Sequence, residues 1–304
     1  MKFLGLGHQS LRQIPVDENY RIRIPALEAQ IAADRAAGFR PIAVLGTAGT
    51  VSTGAVDDLA GLAELCREQD LWFHVDGAFG ALLNVSPRYA PMLRGMQQAD
   101  SLAFDLHKWM YLPFDIGCVL IRDAEAHTAA FSAPASYLEP AERGMLAGGM
   151  AFSDRGLELT RNFKALKVWM SLKTHGVSSL AALIEQNMQQ AQHLSDAIRA
   201  DRELELLAPT AMNIVCFRYR PLSAGKRLPL DAETLNGLNR ELVVRIQESG
   251  RYIVSGTVLG EQYAIRVANT NHRSRMEDFD SLTRDVVLFG REIWSESASQ
   301  AQIS

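Results

Sequence analysis

Two short apolar runs, each ending in one charged residue, limit the folds open to this chain. The first, Leu71-Trp-Phe-His-Val-Asp-Gly-Ala-Phe-Gly80, delivers Asp76 to the small residues Gly77 and Ala78. The second, Asp100-Ser-Leu-Ala-Phe-Asp-Leu-His-Lys-Trp109, reads as a buried strand over 101–104 and delivers Lys108, 32 residues after Asp76. Burying an ammonium is costly, so lysine is a poor structural choice there. It is a good chemical choice, because lysine forms Schiff bases with carbonyl groups. Alone, a strand-end lysine is more often a solvated surface residue, and a strand-end aspartate is as often a helix cap.

A carboxylate at the carboxyl end of a parallel strand points into the crevice where α/β sheets bind ligands. An amine that takes a carbonyl, paired with a carboxylate that keeps a pyridine nitrogen protonated, is what pyridoxal phosphate chemistry requires. The surrounding pattern suits such a crevice. Helices are expected over 26–37 and 57–68, and strands over 41–45 and 116–121. Strands alternating with helices predict a mostly parallel α/β sheet with helices on both faces. From about Leu204 the order changes to strand, strand, helix, strand, strand, helix, an α+β module ending in a helix over 276–293.

Composition narrows the function classes. At 304 residues with 47% hydrophobic and 22% charged content, the chain is ordinary globular material. A net charge of −4 gives no electrostatic case for nucleic acid or an anionic membrane. The three cysteines, Cys66, Cys118 and Cys216, lack metal-ligand spacing and read as reduced. No segment approaches the ~20 apolar residues of a membrane span, and the first residues are too short a run for a secretory signal. A cytoplasmic location is expected.

The pattern His74-Val-Asp76-Gly-Ala78 followed by Ser101-Leu102, five residues and Lys108 resembles the group II pyridoxal phosphate-dependent decarboxylases. Within them it is most similar to the aromatic-L-amino-acid decarboxylase branch. The likeness extends to Gly46-Thr-Ala-Gly-Thr-Val-Ser-Thr-Gly54, Phe114-Asp-Ile-Gly-Cys118, Tyr137 and Tyr263-Ala-Ile-Arg-Val-Ala268. It implies the fold-type I transferase fold, in which the strand over 116–121 runs against its neighbours, with a small C-terminal α+β domain. Residues 1–175 would form part of the large cofactor-binding domain, with a catalytic loop over 131–154. Residues 176–294 would form the small domain, and 295–304 a disordered tail.

The resemblance also implies roles. Lys108 holds pyridoxal 5'-phosphate as a Schiff base, and Asp76 keeps the ring nitrogen protonated. Ala78 leaves room for the ring, and His107 touches the phosphate or orients the lysine linkage. Thr50 offers a hydroxyl near the cofactor, although a plain glycine-rich turn explains its loop equally well. Tyr137 returns a proton to Cα after carbon dioxide leaves. The substrate is an L-amino acid, possibly aromatic by the likeness, and the assembly a homodimer whose loop closes over the partner's site.

Several positions depart from the family pattern. Asp105 stands where some members have asparagine near the phosphate, and is not counted as a ligand. Val51 replaces a second threonine, and Gly77 replaces a frequent alanine, a change expected to be mild. The likeness begins after the family's ring-stacking histidine and phosphate loop, so roughly the first third of a member is expected to be missing. Competing readings are an aldehyde synthase, an aminotransferase, or an inactive fragment of a decarboxylase. The basic side of a helix expected over 157–175, with Arg161, Lys164 and Lys167, reads as a solvated or inter-subunit face.

Overall fold

The computed structural model describes residues 3–132, 143–144 and 152–301. Its first half follows the expected alternation: α1 (Ile24–Ala36), β1 (Ala43–Thr47), α2 (Leu59–Glu68), β2 (Trp72–Asp76), β3 (Ser101–Asp105) and β4 (Gly117–Ile121). These strands form one sheet in the order β1-β2-β3-β4. The first three are parallel and β4 is antiparallel to β3, as expected of that strand. Phe73 and Val75 are buried in one core with Leu59, Leu62 and Cys66 of α2. Trp72, His74 and Asp76 alternate onto the opposite face.

Pro25 lies in the first turn of α1, where a missing N–H costs nothing. Asp58 caps α2 by accepting from the Gly61 N–H at 3.1 Å. The helix therefore starts after Asp57, not at it, and Asp57 serves as a clamp. Its buried carboxylate accepts from the backbone N–H groups of Ile22 and Thr47, both at 2.7 Å. That joins the N-terminal segment to the end of β1. Asp57→Ala would orphan both donors, an expected loss of about 2–4 kcal/mol in a urea melt; a loss within ~0.5 kcal/mol would rule the clamp out. Burial pushes the Asp57 carboxyl above its ordinary value, against the two N–H bonds. Its contribution to stability is therefore full below the ordinary carboxylate range and declines as pH rises through the shifted value.

After α3 (Ala124–Phe131), α4 (Ala165–His175) leads into α5 (Val177–Ala200). The remaining elements are β5 (Leu204–Leu206), β6 (Ile214–Tyr219), β7 (Leu222–Ser223), β8 (Lys226–Arg227), α6 (Ala232–Glu248), β9 (Ser255–Leu259), β10 (Gln262–Ala268) and α7 (Met276–Ala301). A second sheet, in the order β5-β6-β10-β9, is antiparallel throughout. It shares a core with Leu235, Leu242 and Ile246 of α6 and Val286 of α7. α5 spans both cores: Leu180, Ile184 and Met188 pack into the first, and Ala191, Leu194 and Ile198 into the second.

Two expectations give way. The helix expected over 157–175 begins only at Ala165, directly after Lys164. Lys164 pairs with Asp115 at 2.8 Å, Lys167 donates to the Phe114 carbonyl at 3.2 Å, and Arg161 donates to the Phe152 carbonyl. Arg161 and Lys167 nonetheless stay exposed, so the stripe is a solvated face, one of the two faces expected of it. The final helix runs on to Ala301, through most of the stretch expected to be a disordered tail. Arg245 anchors it by a two-pronged pair with Glu296 at 2.9 and 3.0 Å. Near the N-terminus, Val16 and Ile22 form one isolated bridge.

Candidate active site

The parallel register carries Asp76 and the lysine segment to one end of the first sheet. Asp76 pairs with Thr47 of β1 on one side and Ala103 of β3 on the other. The Ala48 N–H donates to the Asp76 carbonyl at 2.8 Å, and the Gly77 N–H donates to the Ala103 carbonyl at 2.8 Å. One step further, the Asp105 N–H donates to the Ala78 carbonyl at 3.0 Å. The turn after Asp76 and the end of β3 are therefore bonded backbone to backbone, and Lys108 follows three residues later. Small residues are required here. A Cβ on Gly77 would lie 2.5 Å from the Ala81 Cβ, so alanine at this position is not the mild change the sequence suggests.

The Asp76 carboxylate is half-buried, and its Oδ1 accepts from the Ala78 N–H at 3.0 Å. Its Oδ2 has no partner among the described residues. Behind it, His74 and Trp72 converge on the Ser101 hydroxyl. Trp72 Nε1 donates to Ser101 Oγ at 2.8 Å, and His74 Nδ1 lies 2.7 Å from the same oxygen. Burial pushes the His74 imidazole below its ordinary value, against the pull of the Asp76 charge. With its hydroxyl hydrogen directed to Nδ1, Ser101 fits a neutral His74.

Lys108 is half-exposed, not buried, and its Nζ is held by Asp105 Oδ2 at 2.7 Å. Asp105, not counted as a ligand in the sequence, is here the ion-pair partner of Lys108. Its signal was the three-residue spacing to Lys108, legible only once a tight turn is known to follow β3. An ion pair this open to solvent contributes about 0–1 kcal/mol, so it can release the amine readily.

The other expected residues are placed as follows. His107 Nδ1 lies 3.1 Å from the Ile116 N and 3.0 Å from its carbonyl, and the ring leans on Phe114 with centroids 4.8 Å apart. That side of the imidazole is thus engaged by backbone, which leaves Nε2 as its other polar atom. Thr50 reaches the same end of the sheet, but its hydroxyl bonds within its own loop. It lies 2.9 Å from Thr53 Oγ1 and accepts from the Ala55 N–H at 3.1 Å. The plain-turn explanation of that loop therefore gains ground. Tyr137 lies outside the described residues.

The second sheet grips the Thr50 loop from the far side. Arg266 Nε donates to the Val51 carbonyl at 2.7 Å, and the Cys216 thiol donates to the Ser52 carbonyl at 3.0 Å. Burial holds the Arg266 guanidinium below its usual value and pushes Cys216 up to about 11. A thiol that stays protonated is a structural donor rather than a nucleophile. Among the described residues, no three His, Cys, Asp or Glu side chains are grouped to hold a metal. No helix among them is long and apolar enough to cross a membrane.

Residues 2–220 match the pyridoxal-dependent decarboxylase conserved domain. An aromatic-L-amino-acid decarboxylase of Bacillus atrophaeus is 35% identical over 293 residues, covering 96% of this chain and 60% of that protein. Tryptophan decarboxylase TDC1 of Camptotheca acuminata is 31% identical, covering 88% of this chain and 52% of that protein. The structure of Oryza sativa TDC with PLP and tryptamine superposes with a TM-score of 0.87 at 26% identity, over 96% of this chain and 59% of the other. The chain thus spans about half to three fifths of the length of these relatives. The sheet is the parallel-dominated α/β architecture of fold-type I enzymes, and the chain belongs to the pyridoxal-dependent decarboxylase family.

Proposed function

We propose that this protein takes part in decarboxylation of an L-amino acid, with pyridoxal phosphate held between Lys108 and Asp76. The observation that carries the reading is the placement of both groups at the ends of adjacent parallel strands, bridged by the bond from Asp105 to Ala78. The residues fit the cofactor. The unpartnered Asp76 Oδ2 is suited to a protonated ring nitrogen, and the Gly77–Ala78 turn keeps side chains away from a flat ring.

Bound pyridoxal phosphate supplies an electron sink for the bond between Cα and the carboxylate. The chain's own residues do the rest. Asp76 holds the proton on the ring nitrogen by charge and hydrogen bond. Lys108 would supply the amine that holds the cofactor, and Asp105 positions that amine in its absence. Tyr137 is assigned the proton delivered to Cα. An aromatic substrate is the first class to test, because the relatives' names point to one. A homodimer is proposed on the same family grounds; sedimentation as a monomer at micromolar concentration would count against it.

The deciding experiment is an absorbance spectrum with added pyridoxal phosphate, repeated for Lys108→Ala. A band near the visible edge is expected for the wild type and absent from the variant. No band in the wild type, or a band that survives the substitution, would sink the reading. Products from a panel of amino acids then separate amine from aldehyde, which distinguishes decarboxylase from aldehyde synthase. In Asp105→Asn the band should rise about twofold to fivefold faster, as expected for removal of a weak ion pair. An unchanged or slower rise would show that Asp105 does not restrain the amine.

A further inference from the structure

The lysine-bearing turn is backed by a polar cluster that none of the roles above uses. Trp109, fully buried, stacks on Phe79 with centroids 4.8 Å apart and an interplanar angle of 11°. Phe79 lies three residues after Asp76, so this stack fastens the two halves of the site together. On its polar edge, Trp109 Nε1 donates to Asn187 Oδ1 at 3.0 Å. The Tyr111 hydroxyl donates to the same oxygen at 2.7 Å. Asn187 Nδ2 donates in turn to Gln190 Oε1 at 3.1 Å and to the Asn271 carbonyl at 3.2 Å. All four hydrogen-bonding positions of the amide are filled.

Three features make Asn187 more than a satisfied core residue. It is fully buried in the middle of α5, where asparagine is a weak helix former and a leucine would serve packing as well. It sits where α5 passes from the first core to the second, beside Met188 of the first and one turn before Ala191 of the second. And one of its partners, Tyr111, has φ 59°. That left-handed conformation is a true outlier for a bulky side chain and persists only where surroundings over-determine it. Here those surroundings are the bond to Asn187 and an edge contact with His272 at 5.2 Å.

We infer that Asn187 is a positioning residue for Lys108: it pins Trp109 and Tyr111, the first and third residues after the lysine, and ties them to the 269–274 loop between β10 and α7. The cluster continues there, since Asn269 Nδ2 donates to Gln190 Oε1 at 2.6 Å and Gln190 Nε2 to the Ser274 carbonyl at 2.5 Å. Through it, displacement of that loop would be felt at the Lys108 amine. The inference rests on the reading of Lys108 as the amine that takes the cofactor, and its test does not need the cofactor.

The test is competitive acetylation of the full chain by acetic anhydride, read at each lysine by mass spectrometry, for the wild type, Asn187→Leu and Tyr111→Phe. Temperature is held well below each protein's melting point, and the exposed Lys173 and Lys226 serve as internal references. Freed from its turn, Lys108 should lose its fixed pairing with Asp105. Its labelling should rise at least about threefold in Asn187→Leu and by less, in the same direction, in Tyr111→Phe. Lys173 and Lys226 should not change. If Asn187→Leu does not fold, Tyr111→Phe, which removes one hydroxyl, decides alone. Lys108 labelling at or below the wild-type rate, or an equal rise at the reference lysines, would show that the cluster is only packing and overturn the inference. A missing absorbance band with pyridoxal phosphate would sink the cofactor reading and leave this labelling comparison intact.

Discussion

On the proposed function, Asp76→Asn is expected to lower kcat for decarboxylation by about 10²–10⁴ while leaving the melting temperature within about 2 °C of the wild type. The substitution is nearly isosteric. Its amide oxygen can keep the bond from the Ala78 N–H that Asp76 Oδ1 accepts, so the turn between β2 and the cofactor site should hold. What it removes is the negative charge. Without it, a protonated ring nitrogen would sit against a neutral amide in a half-buried site, a loss of about 3–5 kcal/mol by analogy with breaking one side of a buried ion pair. Each 1.4 kcal/mol is roughly a factor of ten in rate. The measurement is carbon dioxide release under saturating cofactor and substrate, with a thermal melt on the same sample. A variant within fivefold of the wild type, stable and cofactor-loaded, would remove Asp76 from its assigned role.

How much of this site could be read from the sequence depends on how local each contact is. Asp76 and Lys108 were legible because each ends a short apolar run, and strand ends of a parallel sheet meet at one edge. β4 shows in the sequence as an apolar run close behind β3, but its antiparallel direction came from the family resemblance alone. The Asp105–Lys108 pair was not legible, because a tight turn had to be known first. Asn187 was less legible still. In sequence it is one polar residue in a helix with apolar spacing, and its partners Trp109 and Tyr111 lie 78 and 76 residues away. The helix expected over 157–175 starts late, at Ala165, with Lys164 just before it paired to the distant Asp115, and the final helix runs past its expected end, where Arg245 holds Glu296.

Trp109→Ala is expected to destabilise the protein by about 3–5 kcal/mol, lowering its melting temperature by roughly 6–15 °C. The indole is the largest of the fully buried side chains, and interiors are packed too tightly to collapse into the space it leaves. Part of the loss is the stack on Phe79, which joins the turn after Asp76 to the turn after Lys108. A smaller part is the Nε1–H bond to Asn187, whose oxygen would still accept from Tyr111. Trp109→Phe separates the two, because it keeps an aromatic face against Phe79 and removes only the donor and part of the volume. Its cost should be about 1–2 kcal/mol. Urea melts of both variants make the comparison. Equal losses would assign the stability to the hydrogen bond, and an alanine variant within ~1 kcal/mol of the wild type would mean the two halves of the site are held together by backbone bonds alone. The ordering expected here, alanine far below phenylalanine, follows from volume and area outweighing one satisfied polar contact in a core that already offers Asn187 a second donor.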